Sequence, residues 1–338
     1  IKCVAAHLFI IEEISQKHNL KFISSIAGNG ISSIIENVFD DRKGRAKMEL
    51  YELSNNEIMI RVSSFGAELK SLKDRKTEKE YLWDANPDYW KRTSPVLFPI
   101  VGSLQDGRYS FEGKTYAMSQ HGFARDMEFA LVKKTAEELA FALEDTAETR
   151  EKYPFAFRLE IGYRLEDRNV IVSWKVLNKQ DGKMYFSIGG HPAFLCPIQE
   201  GEKQSDYKIH FENADKITAG ILNDHGTLSK EEKTYPLENG YLDIDAHLFD
   251  EDALIVEHHQ AQKVSLCDPA GKAYLTVSFA APLFGIWSPA KKNAPFVCIE
   301  PWYGRCDREE FAGELPEREY GNCLAGREQF EQQYTISI

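Results

Sequence analysis

Residues 169–194 read NVIVSWKVLNKQDGKMYFSIGGHPAF. The first ten have the β-branched and aromatic enrichment of a strand. An Asp181-Gly182 turn separates them from a second strand-like piece that ends at Phe186. Gly189, Gly190 and Pro192 then interrupt the pattern around His191. Glycine lets a ligand approach the backbone closely, and proline fixes the exit direction. The stretch predicts strands that stop in order to present an imidazole.

The same signature recurs on both sides. MELYELSNNEIMIRVSSFGAELKSL (Met48–Leu72) alternates as strands around Ser54-Asn55-Asn56. RYSFEGKTYAMS (Arg108–Ser119) has the form of a hairpin, and AYLTVSFA (Ala273–Ala280) that of a strand. Turns fall at Asp106-Gly107, Glu112-Gly113, Glu238-Asn239-Gly240 and Pro269-Ala270-Gly271. Helical pattern is confined to about one turn in DTAETREKY (Asp145–Tyr153), and no βαβ alternation occurs. Regularly spaced strands predict one large all-β domain, a sandwich or barrel, over residues 48–338.

Residues 1–47 read differently, with weak helical periodicity and a Gly28-Asn29-Gly30 break. The expectation here is that Met48 is the natural start and that residues 1–47 are a translated leader. The purine-rich codons possible for RKGRAK (Arg42–Lys47) resemble a ribosome-binding site. A small helical extension is the alternative.

The chain has 338 residues, 43% of them apolar, and a net charge of -12, with no long basic run. Nucleic-acid and anionic-membrane partners are therefore not expected. HLFII (His7–Ile11) meets Glu12-Glu13 at once, too short for a span. The six cysteines (Cys3, Cys196, Cys267, Cys298, Cys306 and Cys323) form no C-x-x-C and read as small hydrophobes of a reducing cytoplasm. His258-His259, after ALIV, reads as a solvated strand end.

Three segments place an ionisable group beside a glycine or proline corner: QHGFARD (Gln120–Asp126), GGHPAF (Gly189–Phe194) and VCIEPWYG (Val297–Gly304). The groups are His121, His191 and Glu300. A carboxylate inside an apolar strand such as FVCIEPW is costly without partners or work, and pairing with Arg305 is its bland account. Burial raises such a carboxyl toward the range of a general base. With an imidazole it makes an acid/base pair. Nearby aromatics, Phe123, Phe194, Trp287, Trp302 and Tyr303, offer faces for a sugar ring or simply core packing. The ligand-type residues show no H-x-H, H-x-D or H-E-x-x-H spacing, so no metal is expected.

YLWDANPDYWKRTSPVLFPIVGSLQDG, QHGFARD, SIGGHPAF and FVCIEPWYG, in this order, resemble the aldose 1-epimerase (galactose mutarotase-like) superfamily, in its LacX-like branch. The resemblance spans residues 48–338. It implies a large antiparallel β-supersandwich with a sugar pocket on its concave face. By resemblance His191 is the general acid, Glu300 the general base and His121 a second histidine near the anomeric centre. It also implies a sugar-binding aspartate, Asp252 in FDEDALI or Asp250 in the alternative register. Many relatives carry an arginine where this chain has Ser103, and Arg125 or Arg92 is the candidate replacement.

The implied activity is interconversion of α and β anomers of an aldohexose, without cofactor, by a cytoplasmic monomer or homodimer. The expected substrate-binding residues are Asp252, Arg125 and Trp287. A hexose-6-phosphate 1-epimerase and a non-catalytic carbohydrate-binding protein are the competing readings. A two-carboxylate glycosidase has only one motif-embedded carboxylate to stand on.

Overall fold

Asn169–Asn178 runs through the larger sheet, paired antiparallel with Phe157–Glu166 on one side and Gln329–Ser337 on the other. Val170, Val172, Trp174 and Val176 turn inward and are buried. On the opposite face Lys175 meets Glu331, its direct cross-strand partner, at 2.9 Å. This alternation of apolar and charged faces is what a sheet with one solvated side requires. The computed structural model describes residues 49–338, so the expectation about residues 1–47 lies outside the described residues.

Two large sheets carry the fold, one of nine strands and one of eight, and every named strand pairing is antiparallel. Val172, Trp174 and Tyr334 of the first and Ile188, Val297 and Ile299 of the second belong to one buried cluster. The sheets therefore face each other across a shared core, as a sandwich does. Leu50–Ser54, Ile58–Ser63 and Leu69–Asp74 form a separate three-stranded sheet.

The hairpin Arg108–Phe111/Lys114–Ala117 and the short helix Ala147–Lys152 form where the sequence predicts them. Thr146 and Thr149 close a capping box at the helix start. Met184–Phe186 is a strand, but it pairs with Asn322–Leu324 rather than with the strand before it. Asn178 directs this departure: its Nδ2 donates to the Gly182 and Ala325 carbonyls, both at 2.8 Å, tying the turn to the distant segment.

Among the described residues no helix is long and apolar enough to cross a membrane. Cys196, Cys267, Cys298 and Cys306 are buried free thiols, and Cys323 is an exposed one. His258 and His259 are exposed just past Leu254–Val256, as a solvated strand end should be.

Candidate active site

Three strands of the eight-stranded sheet build the floor of a cavity of about 450 Å³. They are Leu283–Trp287, Phe296–Tyr303 and the broken pair Ile188–Gly190 and Ala193–Leu195. The register pairs Gly189 with Trp302 before the break and Ala193 with Cys298 after it. Continued across the break, that register sets His191 directly opposite Glu300. On the other side Gly285 pairs with Glu300, and Trp287 with Cys298. Side chains alternate along a strand, so Cys298, Glu300 and Trp302 share one face with His191, Trp287 and the two glycines.

Pro192 and Pro301 both stand at the break, where neither is asked to donate a ladder bond. This corrects one sequence expectation. Pro301 does not end its strand; pairing with Phe284 continues through it, and Glu300 lies mid-strand. The His191 N–H, freed from that ladder, donates to the Pro95 carbonyl at 3.1 Å. The glycines also serve differently from expectation. A Cβ on Gly189 would stand 2.5 Å from Trp302 Cδ1, and one on Gly285 2.5 Å from Trp302 Cη2. They make room for an indole rather than for a ligand.

His191 Nδ1 lies 3.4 Å from Glu300 Oε1, a contact longer than a normal hydrogen bond. Nδ1 of His191, Oε2 of Glu300 and Nε1 of Trp302 are all buried without a partner. Arg305 does not neutralise Glu300; it pairs with Glu257 at 2.8 Å and with Glu319. Burial, and then the negative charge of Asp252, push the Glu300 carboxyl well above its usual range, tempered by the Trp302 indole without a closed hydrogen bond. Burial, and then the Arg125 and Arg92 charges, press the His191 imidazole down to about 3. Both shifts favour the neutral forms, carboxylic acid beside imidazole, over the ion pair.

His121 is held twice by one residue. Its N–H donates to the Gly102 carbonyl at 2.9 Å, and the Gly102 N–H donates to its Nδ1 at 3.1 Å. An accepting Nδ1 leaves the proton on Nε2. Burial and the neighbouring His191, Arg125 and Arg92 hold its pKa well below normal, in agreement with a neutral ring. The backbone pays for this placement with φ of 66° at His121 and 71° at Gly122. A Cβ on Gly122 would lie 2.2 Å from the Phe98 carbonyl oxygen. The His121 ring meets the His191 ring edge-on, centroids 5.6 Å apart.

The cavity brings together His121, His191, Glu300, Asp252, Arg125 and Trp287, every site residue expected from the sequence. Asp252 is exposed at the rim. Desolvation by the cavity wall still raises its carboxyl, against a lowering contribution from the Trp287 indole. Asp250 instead pairs with His247 Nδ1 at 2.8 Å and is not a lining residue. Ser103 is not one either, whereas both Arg92 and Arg125 are. Arg92 reaches Asp126 at 2.7 Å. Arg125 Nη2 donates to the Gln120 carbonyl, and its buried Nε lies 3.8 Å from Asp126 Oδ2 without a hydrogen bond. Burial and then Arg92 lower Arg125 to about 10. Phe194 belongs to the main core instead, and Phe123 and Tyr303 pack against it, partly buried.

Two features were not singled out from the sequence. Trp90 lines the cavity and stacks on His191, with 4.7 Å between centroids. The signal was a tryptophan amid charges in DYWKR, a segment too polar to bury it whole. The other is a group of possible metal ligands: donor atoms of His191, Cys298 and Glu300 all lie within 4.8 Å of one another. Spacing along the chain is silent about such a group because its members meet across strands.

A family model described as aldose 1-epimerase matches residues 49–314. Protein LacX (chromosomal) of Lactococcus lactis is 34% identical over 262 residues, covering 75% of this chain and 87% of that protein. A galactose mutarotase related enzyme from Lactobacillus acidophilus superposes with a TM-score of 0.81 at 36% identity, over 86% of this chain and 97% of that one. A galactose mutarotase-like protein from Lactobacillus casei does so with a TM-score of 0.80 at 27% identity, over 86% and 99%.

Proposed function

The chain belongs to the aldose 1-epimerase family, and on that premise we propose that it interconverts the α and β anomers of an aldohexose by proton transfer. The observation that carries this reading is the facing pair of orphaned buried atoms, His191 Nδ1 and Glu300 Oε2. Buried polar groups without partners are rare, and the two residues that carry these line a cavity within the roughly 300–1,000 Å³ of small-molecule sites. The hydroxyl and ring oxygens of a hemiacetal share one carbon, so two groups as close as these serve both.

The reactive state is carboxylate plus imidazolium, reached by passing the shared proton from Glu300 to His191. Glu300 then takes the C1 hydroxyl proton as C1–O1 becomes a carbonyl. The C1–O5 bond breaks, its electron pair goes to O5, and His191 supplies the proton there. Rotation about C1–C2 turns the other carbonyl face inward, and the two groups close the ring with roles exchanged. The His121 Nε2–H is the neutral donor suited to the carbonyl oxygen, and Asp252 accepts from sugar hydroxyls. Trp287 supplies an apolar face for the ring. All five described cysteines are free thiols, which suits a cytoplasmic setting.

A phosphorylated aldose is a second reading, favoured by one feature. Lys91, Arg92 and Arg125 line the same cavity in a chain of net charge -12. A dianion there would give the Arg125 Nε a hydrogen-bond partner and offset the Arg125 and Arg92 charges that add to the burial of His191.

The test is polarimetry of freshly dissolved α-anomers of glucose, galactose and their 6-phosphates, with and without protein. Accelerated decay of rotation is expected. No acceleration for any of them, with binding of the sugars intact, overturns catalysis in favour of a binding protein.

A further inference from the structure

We propose that Cys298, His191 and Glu300 form an inhibitory site for a thiophilic divalent cation, Zn²⁺ above all, at the cavity floor. The inference rests on the proposed function only in calling the site inhibitory; the binding itself does not depend on it.

Cys298 is buried on the same strand face as Glu300, two residues before it, and opposite Ala193. It makes no contact that the proton-transfer chemistry uses. Donor atoms of all three residues lie within 4.8 Å of one another. His191 Nδ1 and Glu300 Oε1 are 3.4 Å apart, close to the roughly 3.5 Å between ligands of a tetrahedral zinc. The sulfur has about an ångström to close. Independently of the thiol, His191 Nδ1 and Glu300 Oε2 are buried and unpartnered. The bound sugar accounts for those two atoms but not for a sulfur beside them.

The donor set selects the ion. One imidazole, one thiolate and one carboxylate suit Zn²⁺ and disfavour Mg²⁺ or Ca²⁺, which prefer oxygen cages. Binding expels the thiol proton, and the thiolate and carboxylate then balance the dication, leaving no net charge buried. His191 and Glu300 line the cavity, and the Cys298 sulfur lies buried behind them. An ion there occupies the acid and the base together, so sugar conversion stops while it is bound.

The test titrates metal-free protein with Co²⁺ and reads the near-ultraviolet thiolate-to-cobalt band, then displaces it with Zn²⁺. One band per chain is expected, abolished by Zn²⁺. Zn²⁺ is expected to slow anomerisation, and EDTA to restore it. Cys298→Ala and Cys298→Ser should keep metal-free anomerisation and lose the band. Their Zn²⁺ sensitivity should fall by more than the roughly 10- to 100-fold typical of losing an outer-shell partner. Circular dichroism checks that both fold, and Glu300→Gln, which leaves the sulfur in place, should weaken Co²⁺ binding. A wild-type protein without the band, or a band that survives both cysteine variants, overturns the proposal. The cobalt measurement needs no turnover. Failure to convert any sugar thus counts against the function alone, and a missing band in an active protein against the metal site alone.

Discussion

The indole of Trp90 lies stacked on the imidazole of His191, with 4.7 Å between ring centroids and 28° between planes. Trp287 meets the same imidazole edge-on at 5.4 Å, and His121 at 5.6 Å. The ring of His191 is thus boxed by three others, and packing fixes its rotamer. Trp90→Ala is expected to lower kcat/KM about 2- to 10-fold, the equivalent of one aromatic pair. NMR titration should show the His191 pKa moving upward as water reaches the ring. An unchanged pKa with lost activity would make Trp90 a sugar contact only.

Glu300→Gln keeps the shape and removes the base. Loss of a positioned acid/base group costs typically 10²- to 10⁴-fold in kcat. The same range is expected for His191→Asn, with sugar binding by calorimetry retained in both. Similar rates in either variant and in wild type would remove the acid/base pair from the reaction.

Stability should depend on pH in two opposed ways. The native Glu300 holds its proton above the ordinary 4.5. Its contribution is full below 4.5 and lost as pH rises toward the native value. Glu300→Gln should therefore melt above wild type at pH 8, and by less at pH 4. The native His191 titrates near 3 against 6.5 unfolded. Between those values the unfolded chain binds the extra proton, so stability is lost as pH falls from 6.5 toward 3. His191→Asn should flatten that slope. Parallel melting curves across pH for wild type and both variants would contradict the burial argument.

Arg125→Ala distinguishes the two substrate readings. If a phosphate docks on the Arg92 and Arg125 wall, kcat/KM for the 6-phosphate should fall about 10- to 150-fold, the worth of a hydrogen bond to a charged group. The free hexose should lose far less. Equal losses for both sugars would place Arg125 against the hexose itself.

Gly189→Ala should clash with the Trp302 indole and destabilise the fold by about 1–3 kcal/mol, as overpacking does. Thermal melting reads this, and an unchanged Tm would mean that the indole has somewhere else to go.

The fold was legible because strands announce themselves locally. NVIVSWKVLN and RYSFEGKTYA carry β-branched and aromatic residues up to a turn, and both form strands where read. The site was legible in part. His191 and Glu300 stood out as ionisable groups beside glycine and proline in apolar runs. Their meeting was not visible, since register across a broken ladder depends on pairing over more than a hundred residues. Met184–Phe186 shows the same limit: its strand character is local, but its partner Asn322–Leu324 is set by contacts far along the chain. Trp90 and Cys298 were missed for the same reason. Each looks like core or loop in its own segment and gains meaning only beside His191.

The indole of Trp302 fills the width of two neighbouring strands that carry no side chain at Gly189 and Gly285. Three positions on three strands are thereby interlocked, and none can change size without the other two. Any drift in which sugar is preferred has to come from the rim, where the exposed Asp252 and its neighbours Ala253 and Leu222 line the cavity outside that interlock. A designer seeking a new substrate would randomise that rim and leave the floor alone.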